Sequence, residues 1–385
     1  MDFAYGSSHA TDAPGFADIA DALPATRPLR VAFFSDAEPE RNGAGSYYSD
    51  LIAQLDKRID AVEIFQPTRR KRLLSGLSVP LPGDPTQRLL TPNVPRLWQR
   101  VRRMQPDVIV SITPGPFGLL GLAMARHFGS AFMTAFHTEF EALSRLYWSP
   151  VSRAIATRYL TGVNRLLCRS SSSVLVHSGR LVETVRSLGA GDVQVMGTPL
   201  PTRFIDTPVA PPRGRLSQLV FAGRLAPEKN LDVIVEAARE LPDLQFVIAG
   251  DGPLRKRIAR DTRRLPNVRM VGWLDREALR ELLDASDLLL LPSRLETFGS
   301  IALEAMARGR PAVVAENAGI HSWHALHDGL ITLRRSDRLA DAIRRVQAQC
   351  PQERHDKAMR ARLAAERLNM ETLAHWIGLI DRQAA

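Results

Sequence analysis

At 385 residues the chain exceeds one ordinary core and fits two domains of common size. Its 45% hydrophobic content suffices for packed interiors. Ser, Gly or a charge interrupts even Leu288 to Pro292 and Val108 to Met124, so no apolar run reaches the roughly 20 residues of a bilayer-spanning helix, which argues against an integral membrane protein.

The formal charge of +10 suggests acidic partners: nucleic acid, anionic membrane or phosphorylated ligands. Cys168 and Cys350 make no metal spacing, which points to a reducing cytoplasm and two structural thiols.

In chain order, residues 1–28 have no basic start and no apolar core, so they read as a loosely ordered leader and not a secretory signal. Leu29 to Phe34 is a short apolar strand, followed by the glycine loop Asn42 to Ser46 and a helical pattern from Tyr47 to Leu55. Between Arg69 and Arg103 nine basic residues face a single acid, Asp84, with Leu73, Leu74, Leu77, Val79, Leu97 and Trp98 interleaved. That segment reads as a solvated face or as a cationic amphipathic element on anionic lipid.

Pro106 to Ile112, Ala131 to Phe136 and Ser173 to His177 continue the strands, with a helix expected from about Gly179 to Leu188. Prolines and glycines between Pro199 and Gly214 break both patterns and mark the interdomain linker. Strands then restart at Gln218, Leu244, Val268, Asp287 and Pro311, and Gln352 to Arg382 has the spacing of a terminal helix. Alternating strands and helices predict doubly wound parallel sheets, in units spanning 29–205 and 206–350 with a helix over 351–385.

Two blocks carry chemistry. In Pro292 to Gly309, a helix is expected to begin near Phe298 to Ser300, where free amides and the helix dipole favour a phosphate. Glu296 precedes this helix, and Glu304 lies inside it, about 12 Å further on at about 1.5 Å per residue. A phosphate at one end and a carboxylate for ribose hydroxyls at the other outline a nucleotide. In Phe221 to Leu231, Gly223 ends a strand, and Arg224 and Lys229 offer a planar fork and a point charge suited to a diphosphate.

The chain thus resembles the GT-B glycosyltransferases of family 4. The likeness rests on Gly223 to Asn230, Ala249 to Pro253, Asn267 to Trp273 and the E-x7-E pair Glu296 and Glu304; Asn42 to Ser46 and Phe136 to Phe140 carry it less specifically. It implies two Rossmann-like domains facing a cleft, with a nucleotide sugar in the C-terminal domain, an acceptor in the N-terminal one, and retention of anomeric configuration. By this resemblance Arg224 and Lys229 bind the donor diphosphate, Glu304 the ribose and Glu296 the sugar hydroxyls. Gly43 lets its loop approach the phosphates, His137 supports the reacting centre, and Gly223, Gly250, Gly272, Phe298, Gly299 and Ser300 complete the donor site.

In the mechanism usually proposed for the family, the departing phosphate takes the acceptor proton. No Asp-x-Asp is present and cationic side chains are available, so neither metal nor cofactor is expected. Trp323 and His324 stand where the family usually places an acid, and His177, His321, His324 and His327 read as structural or exposed.

The function expected is hexose transfer from a donor of the GDP-mannose or UDP-glucose type to a lipid or lipid-linked acceptor at the cytoplasmic membrane face. The alternatives are a soluble sugar or polysaccharide acceptor, a non-catalytic nucleotide-sugar sensor and an epimerase. No nucleic-acid recognition motif occurs.

Overall fold

A computed structural model of the chain describes residues 28–37, 43–67, 75–81, 84–137, 150–209 and 214–385. The expected leader lies outside them, apart from Pro28, as do Arg69 to Leu74 and residues 138–149.

The N-lobe runs β1 (Arg30–Phe34), α1 (Gly43–Leu55), β2 (Ala61–Phe65), β3 (Ser75–Leu81), β4 (Asp84–Pro92), α2 (Val94–Met104), β5 (Val108–Ser111), α3 (Pro116–Phe128), β6 (Ala131–Phe136), α4 (Pro150–Ser170), β7 (Ser173–Val176), α5 (Val182–Ser187), β8 (Val193–Val195) and α6 (Thr202–Asp206). The C-lobe adds β9 (Gln218–Ala222), α7 (Leu231–Glu240), β10 (Gln245–Ala249), α8 (Arg255–Thr262), β11 (Val268–Gly272), α9 (Arg276–Asp284), β12 (Leu288–Leu291), α10 (Ser300–Ala307), β13 (Ala312–Ala315), β14 (Leu330–Leu333), α11 (Leu339–Gln347) and α12 (Pro351–Ala384).

Each lobe is built on a six-stranded parallel sheet, ordered β2-β1-β5-β6-β7-β8 and β11-β10-β9-β12-β13-β14. Strands such as Val108–Ser111 and Leu288–Leu291 are buried at every position, as expected where helices cover both faces of a parallel sheet. The architecture is therefore the GT-B arrangement of two Rossmann-like domains.

Three local expectations change. The glycines at 43 and 45 form the first turn of α1 and do not lie in a loop before it. The described part of the basic segment folds as an antiparallel pair, β3 with β4, followed by α2. On α2, Leu97 is fully buried in the N-lobe core, and the half-buried Trp98 packs on His127 and Phe128. The Pro-rich crossover contains the short helix α6, because Leu200 and Phe204 bury themselves against Val220 and Met306 in the C-lobe core.

The 34-residue α12, roughly 50 Å long at helical rise, ties the lobes together. Ala361, Ala365 and Leu368 belong to the C-lobe core, while Leu373, Trp376 and Ile380 belong to that of the N-lobe. The buried Trp376 Nε1 donates to Tyr47 Oη at 2.9 Å, and that hydroxyl donates to the Gly197 carbonyl at 3.1 Å. Asn369 Oδ1 accepts the Leu200 amide at 2.8 Å, and Gln54 Nε2 donates to the Leu200 carbonyl at 2.8 Å, so the crossing chain is held from both sides.

Candidate active site

Open parallel sheets bind ligands beyond the carboxyl ends of their strands, where the strand order reverses. In the C-lobe this point lies between β9 and β12. The loop after β9 carries Arg224 and a 3-10 turn, Pro227–Lys229; the loop after β12 carries Ser293 and Glu296. Lys229 Nζ donates to Glu296 Oε2 at 2.6 Å, and Ser293 Oγ donates to the same oxygen at 3.1 Å. Arg224 Nη1 pairs with Glu228 Oε1 at 3.3 Å. Both cations are largely buried, so their fields are screened less than those of surface charges.

Gly223, Gly250 and Gly272 stand at the ends of three neighbouring strands, β9, β10 and β11. Gly250, at φ +133°, is irreplaceable for backbone reasons, since a Cβ there would lie 1.8 Å from the Gly223 carbonyl oxygen. Gly299 precedes α10 at φ +108°, Phe298 is buried beside it, and Ser300 is the first helical residue. Gly299, the N-cap residue, offers no side-chain cap, and none is made to α10 among the described residues. The start of α3 differs: Asp36 accepts the amides of Gly115 and Phe117 at 3.0 and 2.9 Å and the Thr113 hydroxyl. The helix start at the N-lobe switch point is thus occupied by its own carboxylate, while that of the C-lobe is open to an anion.

Glu304 is buried inside α10, and its Oε1 accepts Arg276 Nη1 at 2.7 Å. Arg276 also pairs with Asp50 of α1, which carries the contact across the cleft. Gly319 steadies the other glutamate, because its amide donates to the Glu296 carbonyl at 3.2 Å. A Cβ on Gly319 would stand 1.8 Å from the Thr297 carbonyl oxygen.

From the N-lobe, His137 enters at the end of β6. Its main-chain oxygen accepts the Thr297 hydroxyl at 2.9 Å, which sets it beside the Glu296 loop. Its Nε2 lies 2.9 Å from Tyr48 Oη, and its ring stacks on His177 with centroids 4.4 Å apart and planes at 19°. Burial first, and the neighbouring His177 second, hold the His137 imidazole well below its ordinary range. Burial likewise brings His177 down to about 4, opposed by a contact from its Nδ1 to the Met196 carbonyl at 3.2 Å. Since a carbonyl only accepts, the proton of neutral His177 sits on Nδ1.

The structure therefore brings His137, Lys229, Glu296 and the start of α10 to one place, with Arg224 in the same loop as Lys229 and Glu304 about one turn into α10. Gly43 lies in the first turn of α1, on the same helix as Asp50. The sequence reads His177 as structural or exposed and does not single out Tyr48, Arg276 or Asp50. One signal was available for His177: β6 and β7 pair Phe136 with Val176, so the residues that follow, His137 and His177, emerge side by side.

Fold and site together define a two-lobed GT-B protein whose C-lobe gathers the ion pairs Arg224–Glu228 and Lys229–Glu296 ahead of a helix start. Residues 208–363 match the family described as "Glycosyl transferases group 1", and residues 41–203 match "Glycosyltransferase Family 4". The chain belongs to the family-4-like glycosyltransferases.

It is 23% identical over 327 residues to the sulfoquinovosyl transferase SQD2 of Arabidopsis thaliana, covering 79% of this chain and 63% of that protein. Over 151 residues it is 36% identical to the GDP-mannose-dependent alpha-(1-6)-phosphatidylinositol dimannoside mannosyltransferase of Mycobacterium tuberculosis, covering 38% and 39% of the two chains. The matched stretches thus span less than two thirds of either relative. Sucrose-phosphate synthase from Thermosynechococcus elongatus has the same fold, with a TM-score of 0.73 at 18% identity over 92% of this chain and 98% of that one.

Proposed function

We propose that the chain is a retaining hexosyltransferase that takes a nucleotide sugar of the GDP-mannose or UDP-glucose type and glycosylates a lipid or lipid-linked acceptor at the cytoplasmic membrane face. The observation that carries this reading is the meeting of Lys229 with Glu296 just before the uncapped start of α10. A donor pyrophosphate there takes charge-assisted contacts from Lys229 and Arg224 and main-chain amides from the helix. Negative charge grows on that pyrophosphate as the sugar leaves, so these contacts count most in the transition state.

Glu296 then turns from its ion pair to the sugar hydroxyls, and Glu304, oriented by Arg276, accepts from the ribose. His137 is neutral at physiological pH by the direction of its shift, and it supports the sugar face without serving as a cationic acid. The acceptor proton passes to the departing phosphate. With two cations supplying the neutralisation, the reaction needs neither metal nor cofactor.

Support for the nucleotide sugar and the lipid acceptor comes from the mycobacterial relative, whose name gives GDP-mannose and a phosphatidylinositol mannoside. Among the described residues no helix is long and apolar enough to cross a membrane, so contact with such an acceptor is peripheral in this reading.

The test is nucleotide release from a panel of GDP- and UDP-sugars, with and without detergent-dispersed lipid acceptors. Faster release from one donor when a lipid is added supports the reading. Release stimulated only by soluble sugars moves the acceptor to the alternative class, and release from no donor overturns the enzyme.

A further inference from the structure

The C-lobe carries a second basic surface that the sequence reading did not single out. Between Arg255 and Arg269 seven Lys or Arg residues stand against one acid, Asp261. They occupy α8, the turn after it and the edge strand β11. Arg255, Arg257 and Arg260 pair with Asp251, Asp232 and Asp261. Lys256, Arg263, Arg264 and Arg269 are exposed, and none of them takes an acidic partner among the described residues. Near the opposite edge of the same sheet three cations are paired, Arg338 and Arg344 with Glu240 and Arg345 with Asp337, while Arg334 and Arg335 are exposed.

Three contacts fix how the lobes face each other. Asp50, after β1, meets Arg276, after β11; His137, after β6, meets Thr297, after β12; and Arg180, after β7, donates to the Asn317 carbonyl, after β13, at 2.9 Å. Both sheets therefore run in the same direction across the cleft, and the β2 edge of the N-lobe lies on the side of the β11 edge of the C-lobe. Helix α2 belongs to that N-lobe edge, because its Arg100 pairs with Glu63 of β2. Exposed Arg102 and Arg103 end this helix. The two basic surfaces thus share one flank, with the cleft between them. Val94 at the head of α2 and Trp273 after β11, exposed by 44% and 49%, stand on the same flank.

We propose that this whole flank docks on an anionic lipid surface, the C-lobe through Lys256, Arg263, Arg264 and Arg269 and the N-lobe through α2. The proposal rests on the lipid-acceptor reading and extends it from one lobe to two. Contact through both lobes holds the cleft mouth against the headgroups, where a lipid acceptor enters without leaving its leaflet. Exposed apolar side chains beside the cations suit the headgroup boundary.

Flotation of the full chain with phosphatidylcholine vesicles, with and without phosphatidylglycerol, tests it. Each cation removed should lower partitioning onto the anionic vesicles by about fivefold, which corresponds to about 1 kcal/mol. Lys256→Gln/Arg263→Gln/Arg264→Gln should therefore cost about a hundredfold, and Arg102→Gln/Arg103→Gln about twenty-fivefold. Vesicle-free nucleotide release should stay unchanged in both variants, which shows that they are folded.

A C-lobe variant that floats like the unaltered chain overturns the two-lobed surface and leaves the lipid-acceptor reading standing. Equal retention by duplex RNA at the same salt overturns it as well. So does an unaltered chain that ignores both vesicles; transfer to a detergent-dispersed lipid then decides separately whether the acceptor reading falls too.

Discussion

Thr297 donates its hydroxyl to the main-chain oxygen of His137 at 2.9 Å, although the two residues stand 160 positions apart and in different lobes. The contact ties the C-lobe loop that carries Glu296 to the end of an N-lobe strand, so the proposed sugar site forms only when both sheets are correctly placed.

Lys229→Ala should reduce nucleotide release and transfer about 100- to 1,000-fold, the usual cost of removing one preorganised donor to a developing anion. Its thermal midpoint should stay within a few degrees of the parent. Near-normal turnover would refute the pyrophosphate assignment.

Gly319→Ala acts on the same loop through sterics. The new Cβ falls 1.8 Å from the Thr297 carbonyl oxygen, so the backbone carrying Glu296 and Thr297 must move. Overpacking of this kind costs about 1–3 kcal/mol, and displacement of Glu296 should lower activity as well. Urea denaturation and donor turnover check the two effects, and a variant unchanged in both would show that the loop yields freely.

Arg276→Met strips the buried Glu304 of its partner and breaks the bridge to Asp50. Leaving a buried charge uncompensated costs about 3 kcal/mol or more. Asp50→Asn should cost less, because Glu304 keeps its arginine, while the lobes gain freedom to separate. Denaturation compares the stabilities, and small-angle scattering reads the separation. Equal losses from the two variants would contradict this ordering.

Beside His137, which is depressed in the same direction, His177 contributes to the response to acid. Its imidazole, ordinarily near 6.5, is held at about 4 in the folded chain, so below pH 6.5 the unfolded chain takes up a proton that the folded one refuses. Its contribution is fully present above pH 6.5 and is lost as pH falls through about 4, a change on the order of 3 kcal/mol. His177→Asn should flatten the fall in denaturation midpoint between those limits. An identical profile in the variant would assign the acid sensitivity elsewhere.

Trp376→Ala tests the terminal helix. The indole is fully buried in the N-lobe core and donates to Tyr47, so its removal should cost about 3–5 kcal/mol. A loss below about 1 kcal/mol would mean that α12 is not what completes that core.

Local chemistry made much of this molecule legible. The apolar runs at Val108, Leu219 and Leu288 read as buried strands because period and flanking residues are properties of a short window. Arg224, Lys229 and Glu296 stood out for the same reason, each lying a few residues from a strand end or helix start. Even so, periodicity misplaced the start of α1 and left Leu97 and Trp98 open to a lipid-facing reading, because it reports that a face is apolar and not what covers it.

What only the tertiary structure decided are pairings between distant residues. Arg276 reaches Asp50 across 226 positions, and His137 meets His177 because β6 and β7 are neighbours in the sheet. The shared flank of α2 and α8 follows from how the two sheets oppose each other. Such contacts carry no sequence period, since strand order and lobe orientation are set by the packing of the whole chain.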